Sequence, residues 1–159
     1  MQTTYSSRGR RATRAEILAW QAFLRAHANA LRTAEQALAA AGALSLSEYD
    51  ALVQLARAPT EGLRPTELAD RGLITKSGLT RLLDRLVELG YVDRHACPSD
   101  RRGHLVVLTP AGRRAFKRAT PTVVRAIARC FSGLEGDAEL AAFRRSCERV
   151  ASAAAGTTT

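Results

Sequence analysis

Aromatic residues are scarce in this 159-residue chain, at 5% of the total, while apolar residues reach 46%. A core is therefore permitted, but it has to be built from Leu, Ala and Val rather than from rings. Cysteine is equally sparse. Cys97, Cys130 and Cys147 are odd in number, widely spaced and without a CxxC, so neither a disulfide framework nor a zinc-finger spacing is indicated, and a reducing compartment fits. No apolar run is long enough for a membrane span, and the first residues lack the apolar stretch of a secretion signal. The expected location is the cytoplasm, with no membrane partner. There is no P-loop, no GxGxxG and no Ser-His-Asp or Cys-His spacing of a known kind. Neither an enzyme nor a cofactor is expected. Acidic residues are also in deficit, 15 against 24 Lys and Arg, for a formal net charge of +9. That balance favours an anionic partner, although a solvated basic surface has the same composition.

What the chain does have is concentrated between Thr66 and Thr109. Glu67–Arg71 reads as a short helix with Thr66 as N-cap and Pro65 ahead of it, ended by Gly72 through its turn dihedrals. Leu73 and Ile74 are expected to bury the turn. Thr75 then caps a second helix, Lys76–Leu89, and Gly90 ends it. Leu79, Leu82, Leu83, Leu86 and Leu89 recur at three- and four-residue steps and share one face, leaving Lys76, Ser77, Thr80, Arg81, Asp84 and Arg85 on the others. Two helices about a short Gly-containing turn make a helix-turn-helix, whose second helix enters the DNA major groove. Ser and Thr hydroxyls can contact bases or phosphates, and Arg and Lys can reach phosphates or guanine edges. Tyr91–Ala96 and Leu105–Leu108 are β-type runs around a turn-forming Cys97–His104, with Val92, Val106 and Leu108 facing inward. The tip carries Asp100, Arg101 and Arg102, and arginine on a narrow loop suits the minor groove.

On these residues the chain resembles the MarR-type winged helix-turn-helix regulators. Asp100 and Arg102, followed after three residues by Val106, Leu108 and Thr109, match that family's wing signature, and KSGLTRLLDRLVELGYV is similar to its recognition helix and exit. The likeness is specific from about Leu44 to Arg114 and only one of layout outside it. It implies a homodimeric, ligand-responsive regulator of double-stranded DNA, usually a repressor. Family members that sense peroxides use a cysteine in the first helix, and none stands there in this chain.

The flanks fit that layout. Residues 1–13, rich in Arg and Ser and free of acids, read as a disordered basic arm, either tracking phosphates or merely solubilising; organelle transit peptides share the composition. A helix from about Arg14 to Ala41 places Ile17, Trp20, Leu24, His27, Leu31, Ala34, Leu38 and Ala41 at alternating steps of three and four, a heptad-like stripe. At about 1.5 Å per residue it spans on the order of 40 Å, too long for one small domain to cover, so a partner subunit is expected. Ser45 or Ser47 caps a helix Glu48–Ala58, with Ser45-x-x-Glu48 as a capping box. Leu63 and Arg64 suggest a third wing strand. Thr109-Pro110 opens a helix to about Ser132, with Phe116, Val123, Ile127 and Phe131 on its face and an interruption at Thr120-Pro121. Asp137 caps a last helix, and 156–159 should fray. The reading is thus mainly α with a small β wing: dimerisation helices at 14–43 and 115–155, and a winged core at 44–114.

Several side chains have bland readings beside the functional ones. Lys76, Ser77, Thr80 and Arg81 are the major-groove candidates, against a merely solvated helix face. Arg85 reads as meeting a phosphate or an acidic neighbour, and Asp84 and Glu88 as pairing with Arg81 or Arg85 along the helix. Gly62 to Arg113 holds nine Lys and Arg against six acids, so placement must matter more than charge. The resemblance puts a small anionic or phenolic effector between the first helix and the winged core, around Trp20, Phe23, His27 and Tyr49. His27 as a core histidine and Trp20 as packing are the simpler alternatives. His95 and Cys97, two apart on a strand, can share a face, with His104 near the returning strand, and the three could hold zinc, but the spacing is unspecific and the wing must stay exposed for DNA, so no metal is expected. A sequence-independent architectural DNA binder, or a protein-interaction module built on the end helices, are the competing functions.

Overall fold

The computed structural model describes residues 11–72, 76–97 and 100–155, with the side chains at 76, 77, 97, 100–102, 154 and 155 left aside. Residues 1–10 of the arm expected at 1–13, the tail at 156–159, the buried turn of Leu73 and Ile74 and the cap at Thr75 lie outside the described residues. Six helices and a two-stranded sheet follow in the order α1 (Arg14–Ala40), α2 (Leu46–Ala56), α3 (Pro65–Arg71), α4 (Lys76–Glu88), β1 (Val92–Cys97), β2 (Asp100–Leu108), α5 (Pro110–Cys130) and α6 (Gly136–Ala155).

Local chemistry sets most boundaries. Thr13 and Glu16 form a capping box at the start of α1, so the folded chain begins inside the stretch expected to be an arm. Ser45 and Glu48 form a second box at α2, which starts two residues earlier and ends two residues earlier than expected. Glu35 of α1 adds a third acceptor there, taking the Leu46 amide at 2.8 Å. At α3 the cap differs from the expected Thr66. Pro65 is already the first helical residue, as its fixed φ favours, and the Arg64 amide donates to Glu67 at 2.8 Å. Gly72 ends α3 in an extended conformation, φ −103°, rather than in a turn that needs glycine. Gly90 does need to be glycine, ending α4 at φ 67°. Thr109 caps α5 with Pro110 at its start, as expected. α5 runs unbroken through Pro121, where an interruption was expected; the neighbouring Thr120 hydroxyl donates to the Phe116 carbonyl at 2.9 Å. α6 begins at Gly136, so Asp137 sits inside its first turn, where a carboxylate suits the helix dipole, rather than at the cap.

The wing is longer than its sequence suggested. The antiparallel register runs from Val92↔Leu108 to Ala96↔His104 and closes with Cys97↔Asp100 after a bulge. Asp100, Arg101 and Arg102 therefore belong to the start of β2 rather than to a tip loop, because the ladder continues through the bulge. Leu63 supplies the third edge as a single bridge to Val106, with hydrogen bonds of 3.1 and 2.8 Å.

The core is aliphatic. Leu38 of α1, Leu52 of α2, Leu63, Leu68 of α3, Leu86 of α4, Val92 and Val106 are fully buried. One continuous cluster joins them to Leu79 and Leu83 and to the small α5 residues Ala115, Ala119 and Val123. α5 thus packs both on α1 and on the winged core, fixing the end helices to the reading unit. Much of the heptad stripe stays bare: Ile17 is 47% exposed, Trp20 56% and Leu24 43%. Among the described residues, no helix is long and apolar enough to cross a membrane.

Candidate nucleic-acid interface

α4 is held from behind. Leu79, Leu83 and Leu86 are buried, Leu82 and Leu89 are half-buried, and the opposite face presents Thr80 and Arg81 to solvent. Lys76 and Ser77 occupy the first turn of α4 on its backbone, with their side chains outside the described set. A helix anchored on one side and polar on the other is what insertion into a groove requires.

Two ion pairs link α4 to neighbouring elements. Arg94 on β1 lies 2.6 Å from Asp84, tying the wing strand to the helix. This replaces the pairing of Asp84 with Arg81 or Arg85 along the helix. The chain turns at Gly90 and brings β1 back beside α4, so a cation ten residues on reaches the carboxylate first. Arg85 reaches Glu48 on α2 at 3.8 Å and Glu88 at 4.0 Å, which places it with acidic neighbours. Glu48 is also the capping residue of α2, so one carboxylate serves α2 and α4 together. Asp84 was singled out from sequence but Arg94 was not, since only the β return makes the two neighbours.

The wing places Asp100, Arg101 and Arg102 on the first residues of β2. His95 pairs with Leu105 while His104 pairs with Ala96, so the two histidines face opposite sides of the ladder and cannot share a metal.

The four effector candidates do not converge. Trp20, Phe23 and His27 follow one another on α1, with ring centroids 6.0 Å apart for the first pair and 6.1 Å for the second, the latter stacked at 16°. Phe23 and His27 line an open cavity of about 510 Å³ together with Cys130 at the end of α5, Phe131 just after it and Phe143 of α6. Trp20 lines an adjoining one against Cys147 and Val150. Tyr49 instead packs against Phe116, ring centroids 5.7 Å apart and planes tilted by 38°, and its hydroxyl donates to Thr120 Oγ1 at 3.3 Å. It lines neither cavity. The long α1 carries its N-terminal rings past the winged core and onto α6, which is why the expected junction divides into two places.

Comparison with known proteins agrees with this geometry. Residues 44–103 match the model of the MarR family. Over 78 residues the chain is 36% identical to the HTH-type transcriptional repressor YetL of Bacillus subtilis, a stretch that covers 49% of this chain and 47% of that protein. The chain therefore spans about half the length of this curated relative. Across the whole fold it is similar to Sco3205, a MarR family transcriptional regulator from Streptomyces coelicolor solved in complex with DNA. The TM-score is 0.80 and the identity 29%, covering 92% of this chain and 91% of that one. It is also similar to CouR from Rhodococcus jostii RHA1 bound to p-coumaroyl-CoA, with TM-score 0.72, 28% identity and coverage of 89% and 96%. The helix-turn-helix, the wing and the flanking helices thus recur together in MarR family regulators that this chain resembles in fold, and its residues 44–103 carry that family's sequence pattern.

Proposed function

We propose that the protein is a cytoplasmic transcriptional regulator, a repressor, that binds duplex DNA as a homodimer and releases it when a small molecule binds. The observation that carries this reading is α4: an outer face with Thr80 and Arg81 free to reach base edges, and an inner face locked into the core by Leu79, Leu83 and Leu86. Thr75, Lys76 and Ser77 extend the proposed reading surface, while Arg85 is engaged by Glu48 and Glu88. Arg102, oriented by Asp100 and assisted by Arg101, enters the minor groove. Sco3205, a regulator of the same fold, was solved on DNA.

Dimerisation is supported by the apolar surface that the single chain leaves bare. Ile17, Leu18, Trp20 and Leu24 on α1, Val124 and Ile127 on α5 and Phe143 and Val150 on α6 are all exposed. Such a surface marks an interface. Two-fold symmetry then sets two copies of α4 about 34 Å apart and calls for a near-palindromic operator. The cavity beside Phe23 and His27 gives an apolar wall with one polar ring, suited to a small anionic or phenolic aromatic effector. CouR, a protein of the same fold, was solved with p-coumaroyl-CoA bound.

The test is a gel shift and footprint on the DNA flanking the protein's own gene. Two protected half-sites one helical turn apart are expected. Equal affinity for scrambled DNA at about 150 mM salt would instead indicate a sequence-independent architectural binder.

A further inference from the structure

The chain's positive charge does not sit where the bases would be read. From Leu44 to Thr109, the winged core carries nine Lys and Arg against nine Asp and Glu, so it is formally neutral. α5, by contrast, holds Arg113, Arg114, Lys117, Arg118, Arg125 and Arg129 and not one acid, which is six of the net nine charges. All six side chains are exposed. Among the described residues none lies within ion-pairing distance of a carboxylate; the ion pairs seen involve Arg85, Arg94 and Arg144 instead.

Helical spacing sorts α5 into three faces. Ala115, Ala119, Val123 and Ala126 are buried and face the core. Val124 and Ile127, 55% and 50% exposed, form a bare apolar flank that a second copy would cover. Arg114, Arg118, Arg125 and Arg129 share the remaining face, within an arc of roughly 60° at 3.6 residues per turn, over about 22 Å of helix. The cationic strip is therefore separate both from the core and from the apolar flank.

We propose that this strip of α5 is a second DNA-binding surface, one that takes the phosphate backbone without reading sequence. The inference rests on the DNA-binding function proposed above and adds where its electrostatic affinity comes from. A formally neutral reading unit supplies placement and base contacts but little long-range attraction. Guanidiniums in a row, with no carboxylate in ion-pairing range among the described residues, supply the counterion release that dominates affinity for a polyanion. About 22 Å exceeds the roughly 12 Å width of the major groove, so the strip can meet phosphates on both sides of it. Duplex DNA is favoured over an acidic protein because the same chain presents a reading helix for it.

The experiment measures binding of the full chain to a random-sequence duplex of about 40 base pairs from about 50 to about 300 mM salt. The parent is compared with a quadruple variant, Arg114→Gln, Arg118→Gln, Arg125→Gln and Arg129→Gln. Each phosphate that is no longer neutralised should flatten the slope of log K against log salt by about 0.9, and affinity near physiological salt should fall at least about tenfold. The preference between an operator and a scrambled duplex should stay that of the parent, whereas Thr80→Ala with Arg81→Ala should alter the preference and keep most of the slope. A quadruple Arg→Lys variant keeps the charge and should keep the slope, which separates electrostatics from damage to the fold. An unchanged slope in the Gln variant overturns the α5 surface alone, as does a Lys variant that weakens as much as the Gln variant. A parent that binds no duplex at about 50 mM salt overturns the regulator reading and this surface with it; capture of RNA or an acidic protein in place of duplex would do the same.

Discussion

The Arg94 guanidinium lies 2.6 Å from the Asp84 carboxylate, joining the first wing strand to the outer side of the recognition helix. The two side chains are 38% and 53% exposed, so solvent screens the pair and its stabilising effect should be small. A double-mutant cycle with Asp84→Ala and Arg94→Ala, followed by urea unfolding, should give a coupling of about 0.2–1 kcal/mol. A coupling indistinguishable from zero would mean two independently solvated charges and no link between wing and helix.

Thr80 and Arg81 stand on the exposed face of α4. Arg81→Ala should cost about 1–3 kcal/mol of discrimination at one base position in each half-site, with Thr80→Ala costing less, because a single hydroxyl gives up less than a bidentate guanidinium. Arg102→Ala should weaken binding chiefly on duplexes with A·T-rich flanks, whose narrow minor groove attracts arginine. Affinities measured across a panel of half-site and flank substitutions decide both. If all three variants rank the panel as the parent does, the docking of α4 and the wing is wrong.

The contrast between these residues and Arg94 shows what the sequence made legible. The caps at Ser45 and Thr109 and the leucine stripe of α4 depend on neighbours within about one helical turn, and they stand where sequence put them. Asp84 with Arg94 depends on the chain doubling back at Gly90, and Tyr49 with Thr120 joins residues 71 apart. Neither separation leaves a periodic trace. The wing strands were underestimated because the Pro, Ser, Asp, Arg and Gly of Cys97–His104 suit a turn, yet His104 still pairs with Ala96 and Asp100 with Cys97 across an irregularity in the ladder. The heptad stripe on α1 marked Ile17, Trp20 and Leu24 as packing positions, and in the single chain they stay largely exposed. What it could not mark was that the Trp20 ring also faces α6 of its own chain.

Gly112 is fixed by packing rather than by its dihedrals. A Cβ there would run into the Tyr91 carbonyl and approach a Leu108 methyl at 2.8 Å. That carbonyl accepts the Thr109 amide at 3.1 Å, so the clash would fall on the joint between α4, the wing and α5. Gly112→Ala should therefore destabilise by about 2–3 kcal/mol, in line with other overpacked buried sites. Gly133→Ala, where a Cβ meets nothing within 4 Å, is the control and should leave the melting temperature within a degree or so of the parent. Equal melting of all three proteins would show that the joint yields.

The effector site can be located because its candidates lie in two places. Phe23 and His27 present a stacked pair to the cavity also lined by Phe131 and Phe143, while Tyr49 is engaged with Phe116 and Thr120. An aromatic acid or phenol entering the first site would lay its ring along Phe131 or Phe143 and set its oxygen against the His27 imidazole. At about a hundredfold excess over Kd, binding should stabilise the protein by about 2.7 kcal/mol, a rise on the order of 5–10 °C for a chain of this size. His27→Ala should lose most of that rise and most of the effect on DNA affinity while melting, without ligand, close to the parent, since His27 is itself exposed. Tyr49→Phe should keep the rise in full. A thermal-shift screen of aromatic acids and phenols on the three proteins makes the distinction. If Tyr49→Phe loses the response and His27→Ala keeps it, the effector lies between α2 and α5. If no compound shifts the parent at millimolar concentration, the cavity beside Phe23 is packing space that a second subunit fills.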